Sequence, residues 1–187
     1  MRFKSTTIKD CYIIFPKIHR DIRGSFSRHY CKKEFESKFL FNFKQANVSE
    51  NKKKGTLRGF HYQDLKKPES KIISCIKGSI YNVVLDLRKD SKTFKKHFVI
   101  KLNDKNKNIL FVPGGCANAF LTLEDNTFVH YYMNAYYKAG TYKGIRYNDP
   151  QFKISWPFKP KVINRTCLLY TSPSPRDRTR SRMPSSA

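Results

Sequence analysis

Short runs of alternating apolar and polar residues recur along most of the chain, and they predict strands far more often than helices. IKDCYIIF (residues 8–15) gives a first strand, broken by Pro16 to Arg20. A turn at Asp21 and Gly24 leads to a short strand carrying Phe26 and Tyr30. CKKEFESKF (31–39) breaks the habit, since Phe35 and Phe39 fall four apart on one side of a short helix. Alternation returns in FNFKQANVS (41–49), where Gln45, Asn47 and Ser49 share a face. Such a row is either a solvated face or the wall of a polar pocket, and the pattern leaves both open.

The stretch GTLRGFHYQ (55–63) is the one around which the chain is organised. Asn51 to Gly55 punctuate before it, and Leu57, Phe60 and Tyr62 give it strand character. Strict alternation puts Gly59, His61 and Gln63 on one side, and Phe60 and Tyr62 on the other. One face is then bulky and apolar, fit to pack against a second layer. The other offers an imidazole beside a residue with no side chain, which leaves room for a ligand. A lone histidine is also a common satisfied core residue, so the rest of the chain must decide.

Two strands hinged at Gly78 follow (71–77 and 79–88), then HFVIKL (97–102), then strand, Pro113-Gly114-Gly115 corner and strand over 108–125. TFVHYYMNAYY (127–137) comes after an Asp125-Asn126 turn, KAGTYKG is a loop, and IRYNDPQFKISWP closes the unit. Many short strands at spacings of about 8–12 residues predict an all-β, antiparallel sandwich or barrel of jelly-roll type with one or two short helices.

At 187 residues the chain suits one domain plus an appendage. From about Cys167 the sequence turns to Ser, Pro and Arg without periodicity and drops the Lys, Asn and Phe habit of the preceding residues. The expectation is a domain over 1–166 and a tail over 167–187 that is disordered or foreign to the fold, with the native end missing. The formal charge of +24 raises a nucleic-acid partner. The lysines, however, are scattered through apparent turns and form no basic helix, which favours solvated faces. A positive field would also attract a small diphosphate. No apolar run reaches the roughly 18 residues of a membrane span. The first residues lack the apolar core of a secretory signal. Five cysteines without a CxxC pair fit a reducing cytoplasm better than a disulfide scaffold.

Jelly-roll barrels that bind a metal commonly use an HxH pair and a further His after a Pro-Gly corner. Here the pair reads His61-Tyr62-Gln63 and the corner is followed by Asn118, so one imidazole of three is present and no metal is expected. Acid–base chemistry without metal is left. His61 suits proton transfer near neutrality, with an ordinary pKa of about 6.5. Tyr131 could donate a proton, or simply pack. Lys71 could steady an oxyanion, and Arg23 and Arg58, beside glycines, could fork onto a diphosphate.

DxRGxF (Asp21, Arg23, Gly24, Phe26), QxNxS (Gln45, Asn47, Ser49) and GTLRGFHYQ, followed by VVLDLRKDSKTF, LFVPGGCANAFLTLED and YNDPQFKISWP, closely resemble the dTDP-4-dehydrorhamnose 3,5-epimerase family. The resemblance spans roughly residues 3–163, with the motifs in order. It implies a cupin-type jelly roll, a cytoplasmic homodimer, no cofactor, and a nucleotide-diphosphate 4-keto-6-deoxy sugar as substrate, on the way to a surface polysaccharide. By the same resemblance His61 is the base, Lys71 steadies the enolate and Tyr131 returns a proton from the opposite face. Arg23, Phe26, Gln45, Asn47, Arg58, Asn118 and Tyr137 would bind substrate. Three departures stand out. Asn118 replaces a pocket histidine, and Arg28 replaces a glutamate. The S-x-x-D segment whose aspartate orients the base would begin near Asn164, where the odd tail starts; Asp86 is a possible stand-in, or a structural residue. A module that binds nucleotide sugars without turning them over is the rival reading.

Overall fold

A computed structural model describes residues 1–39, 41–63, 68–164 and 167. Two antiparallel sheets face each other. The first has the order β1 (Arg2–Ser5), β2 (Tyr12–Phe15), β10 (Ile109–Val112), β7 (Lys71–Lys77), β12 (Thr127–Met133), β5 (Gln45–Asn51). The second runs β13 (Tyr142–Gly144), β6 (Thr56–Gln63), β11 (Cys116–Thr122), β8 (Ser79–Asp86), β9 (His97–Asn103), with β14 (Val162–Ile163) parallel against β6. A hairpin, β3 (Ile18–Asp21) with β4 (Gly24–Ser27), belongs to neither sheet. A short helix, α1 (Lys32–Glu36), follows the hairpin. The all-β jelly-roll expectation therefore holds.

Side-chain alternation builds the layers. Ile80 and Val84 of β8 point inward and join Ile73, Leu102, Leu110 and Val129 in the core between the sheets. Val83 and Leu85, one residue out of phase, face outward yet are also buried, because Ile145, Phe152 and Trp156 cover that surface. A strand covered on both faces reads as a continuous apolar run, as SIYNVVLD does. The outer face of the first sheet is sealed in the same way: Phe35 of α1 and Phe41 pack on Ile72, Ile109 and Phe111. Phe35 and Phe39 stand 5.4 Å apart, so the four-residue spacing is realised, in a helix shorter than the periodicity suggested.

Three strand boundaries differ from the sequence reading. Residues 8–11 turn before β2: Thr6 and Cys11 close a loop by backbone bonds, and Asp10 takes a left-handed φ of 63° that a short polar residue tolerates. Ile18–Asp21, placed in a break after Pro16, is a strand because β4 pairs with it. Tyr142–Gly144, read as loop, pairs with Gln63 to His61. Of the three, β13 depends on a partner far away in the chain.

The departure with most consequence lies in β6. Asn118 of β11 faces His61, but Phe120 faces Arg58, so Gly59 and Phe60 together oppose Ala119 alone. This extra residue is a β-bulge, and it reverses the alternation on either side of it. Phe60 still points outward into the covered layer beside Tyr62. Arg58, which strict alternation would send outward, instead shares the inner side with His61. Gly59 also needs correcting: its missing side chain does not make room for a ligand. A Cβ there would lie 2.5 Å from the Asn118 carbonyl oxygen and 2.6 Å from the Ala119 Cα, at a φ of +113°. The neighbouring strand takes up that space. Gly59→Ala is expected to destabilise the fold by about 2–4 kcal/mol, read as a lowered urea midpoint at unchanged slope. An unchanged midpoint would show that the two strands are not held this closely.

Candidate active site

Between the sheets, at the end where β5 and β6 approach, lies a cavity of about 330 Å³, in the range that small-molecule sites occupy. From the first sheet Ser49, Lys71, Ile73, Val129 and Tyr131 line it; from the second come Arg58, His61, Asn118 and Phe120. Five of the sequence candidates, His61, Lys71, Tyr131, Arg58 and Asn118, thus converge on one space from four strands. The face-to-face packing of the two sheets is what brings residues 58 and 131 together.

The polar row on β5 faces inward. Residues 45, 47, 49 and 51 are covered in part or whole, while Ala46, Val48 and Glu50 are exposed. Ser49 reaches the cavity. Asn51 accepts a 2.7 Å bond from Arg58 Nε, and Arg58 Nη2 donates to the Glu50 carbonyl at 3.3 Å. A guanidinium with two donors so engaged keeps others for an anion. Gln45 and Asn47 extend the wall without lining the cavity itself: Gln45 Oε1 accepts the Tyr137 N–H at 2.8 Å, and Asn47 Nδ2 lies 3.2 Å from the Met133 sulfur. Tyr137 is exposed and stacks on Tyr142 with ring centroids 5.2 Å apart.

Arg23 and Phe26 are elsewhere. They sit on the β3–β4 hairpin and do not line this chain's own cavity. Arg23 is paired with Asp21 at 2.6 Å, and Phe26 is 69% exposed. The sequence reading also missed two neighbours of the site. Asn82, fully buried on β8, exchanges two bonds with Asn118, at 2.9 and 3.2 Å. Glu69 holds Lys71 Nζ at 2.7 Å. An asparagine inside the apolar run of β8 was a visible signal; Glu69, in a loop, gave none.

Burial sets the charge states. It pushes His61 down to about 4, with Lys71 and then Arg58 adding to the effect. It pushes the Tyr131 phenol up, partly opposed by Arg58 and assisted by Glu69. At neutral pH the cavity therefore holds a neutral imidazole, able to accept a proton, and a protonated phenol, able to give one. Lys71 and Arg58 add cationic groups. Among the described residues, no group of three or more His, Cys, Asp or Glu side chains is placed to hold a metal ion, and no helix is long and apolar enough to cross a membrane.

Comparison with known proteins decides the family. The family model described as dTDP-4-dehydrorhamnose 3,5-epimerase matches residues 5–184. The enzyme of that name from Methanothermobacter thermautotrophicus is 35% identical over 159 residues, covering 84% of this chain and 85% of the relative. A crystal structure of the Bacillus anthracis epimerase with TDP and PPi bound superposes with a TM-score of 0.88 at 35% identity, over 91% of this chain and 98% of that one. The Legionella pneumophila 3,5-epimerase, in complex with dTDP-4-keto-L-rhamnose, gives 0.86 at 31% identity, over 90% of each chain. The chain belongs to the dTDP-4-dehydrorhamnose 3,5-epimerase family.

This epimerase, an isomerase by family, places its departures in identifiable surroundings. Asn118 is tied to Asn82, so its amide is oriented. Arg28 turns to Glu34, 3.1 Å away. Asp86 binds Arg88, Ser91 and Thr93 and has no share in the cavity, which makes it structural. Cys167 is buried with its sulfur 3.9 Å from His61 Nε2. The rest of the tail, 168–187, lies outside the described residues. His61 should stay neutral far below an ordinary histidine. An NMR titration of its ring is expected to show a midpoint at about 4, and a midpoint near 6.5 would mean that the ring is solvated.

Proposed function

We propose that the protein epimerises a nucleotide-linked 4-keto-6-deoxy sugar at C3, C5 or both, a dTDP sugar being the first choice given its relatives. The observation that carries this reading is that His61 and Tyr131, from opposite sheets, line one cavity together with Lys71. A carbon acid beside a ketone needs a base on one face, an acid on the other and a cation at the oxygen. Neutral His61 takes the proton from the carbon next to the C4 carbonyl, and its electron pair moves onto the oxygen. The Lys71 ammonium stabilises that enolate. Tyr131 then returns a proton to the carbon from the opposite side, inverting it, and solvent exchange resets the imidazolium and phenolate. These side chains supply every proton and charge the step requires, so the reading invokes no metal or organic cofactor. Arg58 would grip the diphosphate, held at the cavity edge by Asn51.

The same reading assigns residues 1–166 to the epimerase domain and places the protein in the cytoplasm, on the route to a surface polysaccharide. It also makes the protein a homodimer. The hairpin supports this, because Ile22 at its tip and Phe26 on β4 are exposed apolar residues standing off both sheets. In a dimer Arg23 and Phe26 would reach the partner's cavity instead of their own. Sedimentation is expected to give about twice the 22.0 kDa of the chain; a monomer at micromolar concentration would remove this part of the reading.

Proton NMR in D2O with 4-keto-6-deoxy sugar nucleotides tests the chemistry. The wild type should incorporate deuterium at C3, C5 or both, and His61→Ala should slow that by about 10²–10⁴-fold. Tyr131→Phe should keep exchange on the base's face and lose inversion by a similar factor. A module that merely binds nucleotide sugars would bind them without any exchange.

A further inference from the structure

We propose that Glu69 is a positioning residue for epimerisation: its buried carboxylate fixes the Lys71 ammonium at the cavity wall and ties it to β13 through Tyr142. This inference rests on the epimerase reading of the cavity and adds a residue to it.

The geometry is that of a carboxylate clamped from both sides. The Glu69 side chain is 2% exposed and that of Lys71 15%. One carboxylate oxygen lies 2.7 Å from Lys71 Nζ, and the other accepts the hydroxyl of Tyr142. The backbone around it is anchored as well. Glu69 N–H donates to Gln63 Oε1 at 3.2 Å, and Gln63 Nε2 donates to Thr141 Oγ1 at 3.3 Å. Ser70 N–H donates to Asn134 Oδ1 at 2.7 Å, and Gly114 N–H to Ser70 Oγ at 3.0 Å. The end of β6, the start of β7 and the chain leading into β13 therefore all meet around Glu69.

A buried acid is costly unless it is paired, and in a chain with 14 Asp and Glu against 38 Lys and Arg the surface has little need of one here. Its position gives it work at the cavity. A lysine is a point charge on a flexible stem, and in a solvated cavity it would sample many positions. The ion pair with Glu69 holds the ammonium in place at the wall, where its N–H groups can meet an oxygen gaining charge. Holding donors ready before the charge appears is how such sites lower a barrier. The carboxylate's charge also reaches Tyr131 and helps keep that phenol protonated.

The test compares the full chain with Glu69→Gln, Tyr142→Phe, Lys71→Met and the double variant Glu69→Gln/Lys71→Met. For each, kcat, KM and the pH profile on dTDP-4-keto-6-deoxyglucose are measured, with thermal melting to establish folding. Glu69→Gln should lower kcat by roughly tenfold to a hundredfold with KM changed less than about threefold. Its alkaline limb should move to lower pH, since the lost negative charge favoured protonated Tyr131. In the Lys71→Met background, Glu69→Gln should cost less than about twofold more in kcat, as expected for residues that act as one unit. A folded Glu69→Gln with wild-type kcat and limb, or losses that simply multiply in the double variant, would overturn the proposal. If Glu69→Gln does not fold, Tyr142→Phe decides, because it loosens the carboxylate and leaves the lysine pair. A lower kcat with a shifted alkaline limb supports positioning; unchanged kinetics overturn it. A wild type that exchanges no deuterium would sink the epimerase reading itself and this inference with it.

Discussion

Where β6 runs beside β11, the backbone of Gly59 and Phe60 is accommodated opposite Ala119 alone, and the cavity depends on that mismatch. A Cβ on residue 59 would collide with the neighbouring backbone, so the close approach is possible only for glycine. Phe60 anchors the outer side of the bulge in the layer closed by Ile145, Phe152 and Trp156. Burying such a ring is worth about 2–3 kcal/mol, enough to make slippage of the strand costly. With the register held in this way, Arg58 and His61 share the inner face, three residues apart. One would bind the charged part of a ligand and the other would meet its reacting carbon.

Opposite that pair stands the β12–β7 wall with Tyr131 and Lys71. Burial acts on the two titrating groups in the same sense: it disfavours charge, lowering the imidazole and raising the phenol. The result at neutral pH is a neutral imidazole and a protonated phenol, and the two come from opposite sheets. The cations are managed separately. Arg58 leans on Asn51 and Lys71 on Glu69, so each is oriented before any ligand arrives. At longer range the chain's +24 charge would draw in an anionic nucleotide sugar.

The two buried carboxylates show how far surroundings decide a role. Asp86 is fully covered and held well below the usual carboxylate range by Arg88, Ser91 and Thr93 against the cost of burial. It fastens the end of β8 to the 88–93 loop and, through Arg88, to Asp10. Glu69 is as well covered, but its partners are a cavity lysine and a tyrosine from a different strand pair. Only the first of them was in a strand motif where it could be noticed.

Much of the architecture was legible along the chain, because alternation and turn residues act locally. The strands from Thr56 to Met133, the Phe35–Phe39 pair, and His61, Lys71 and Tyr131 as residues of interest all follow from spacing and residue type, whereas the polar row on β5 was visible but its side was left open. What alternation cannot show is an extra residue absorbed by a neighbouring strand, so the inner placement of Arg58 was not legible from it and Gly59 was given the wrong use. Nor can it show which strand pairs with a short isolated segment, and β3 and β13 were missed for that reason. Glu69 and Asn82 gain meaning only from partners on other elements. The order of apolar and polar residues determined which stretches are strands and which face of most of them is buried. The pairing of those strands, a matter of contacts between distant segments, decided which side chains meet in the cavity.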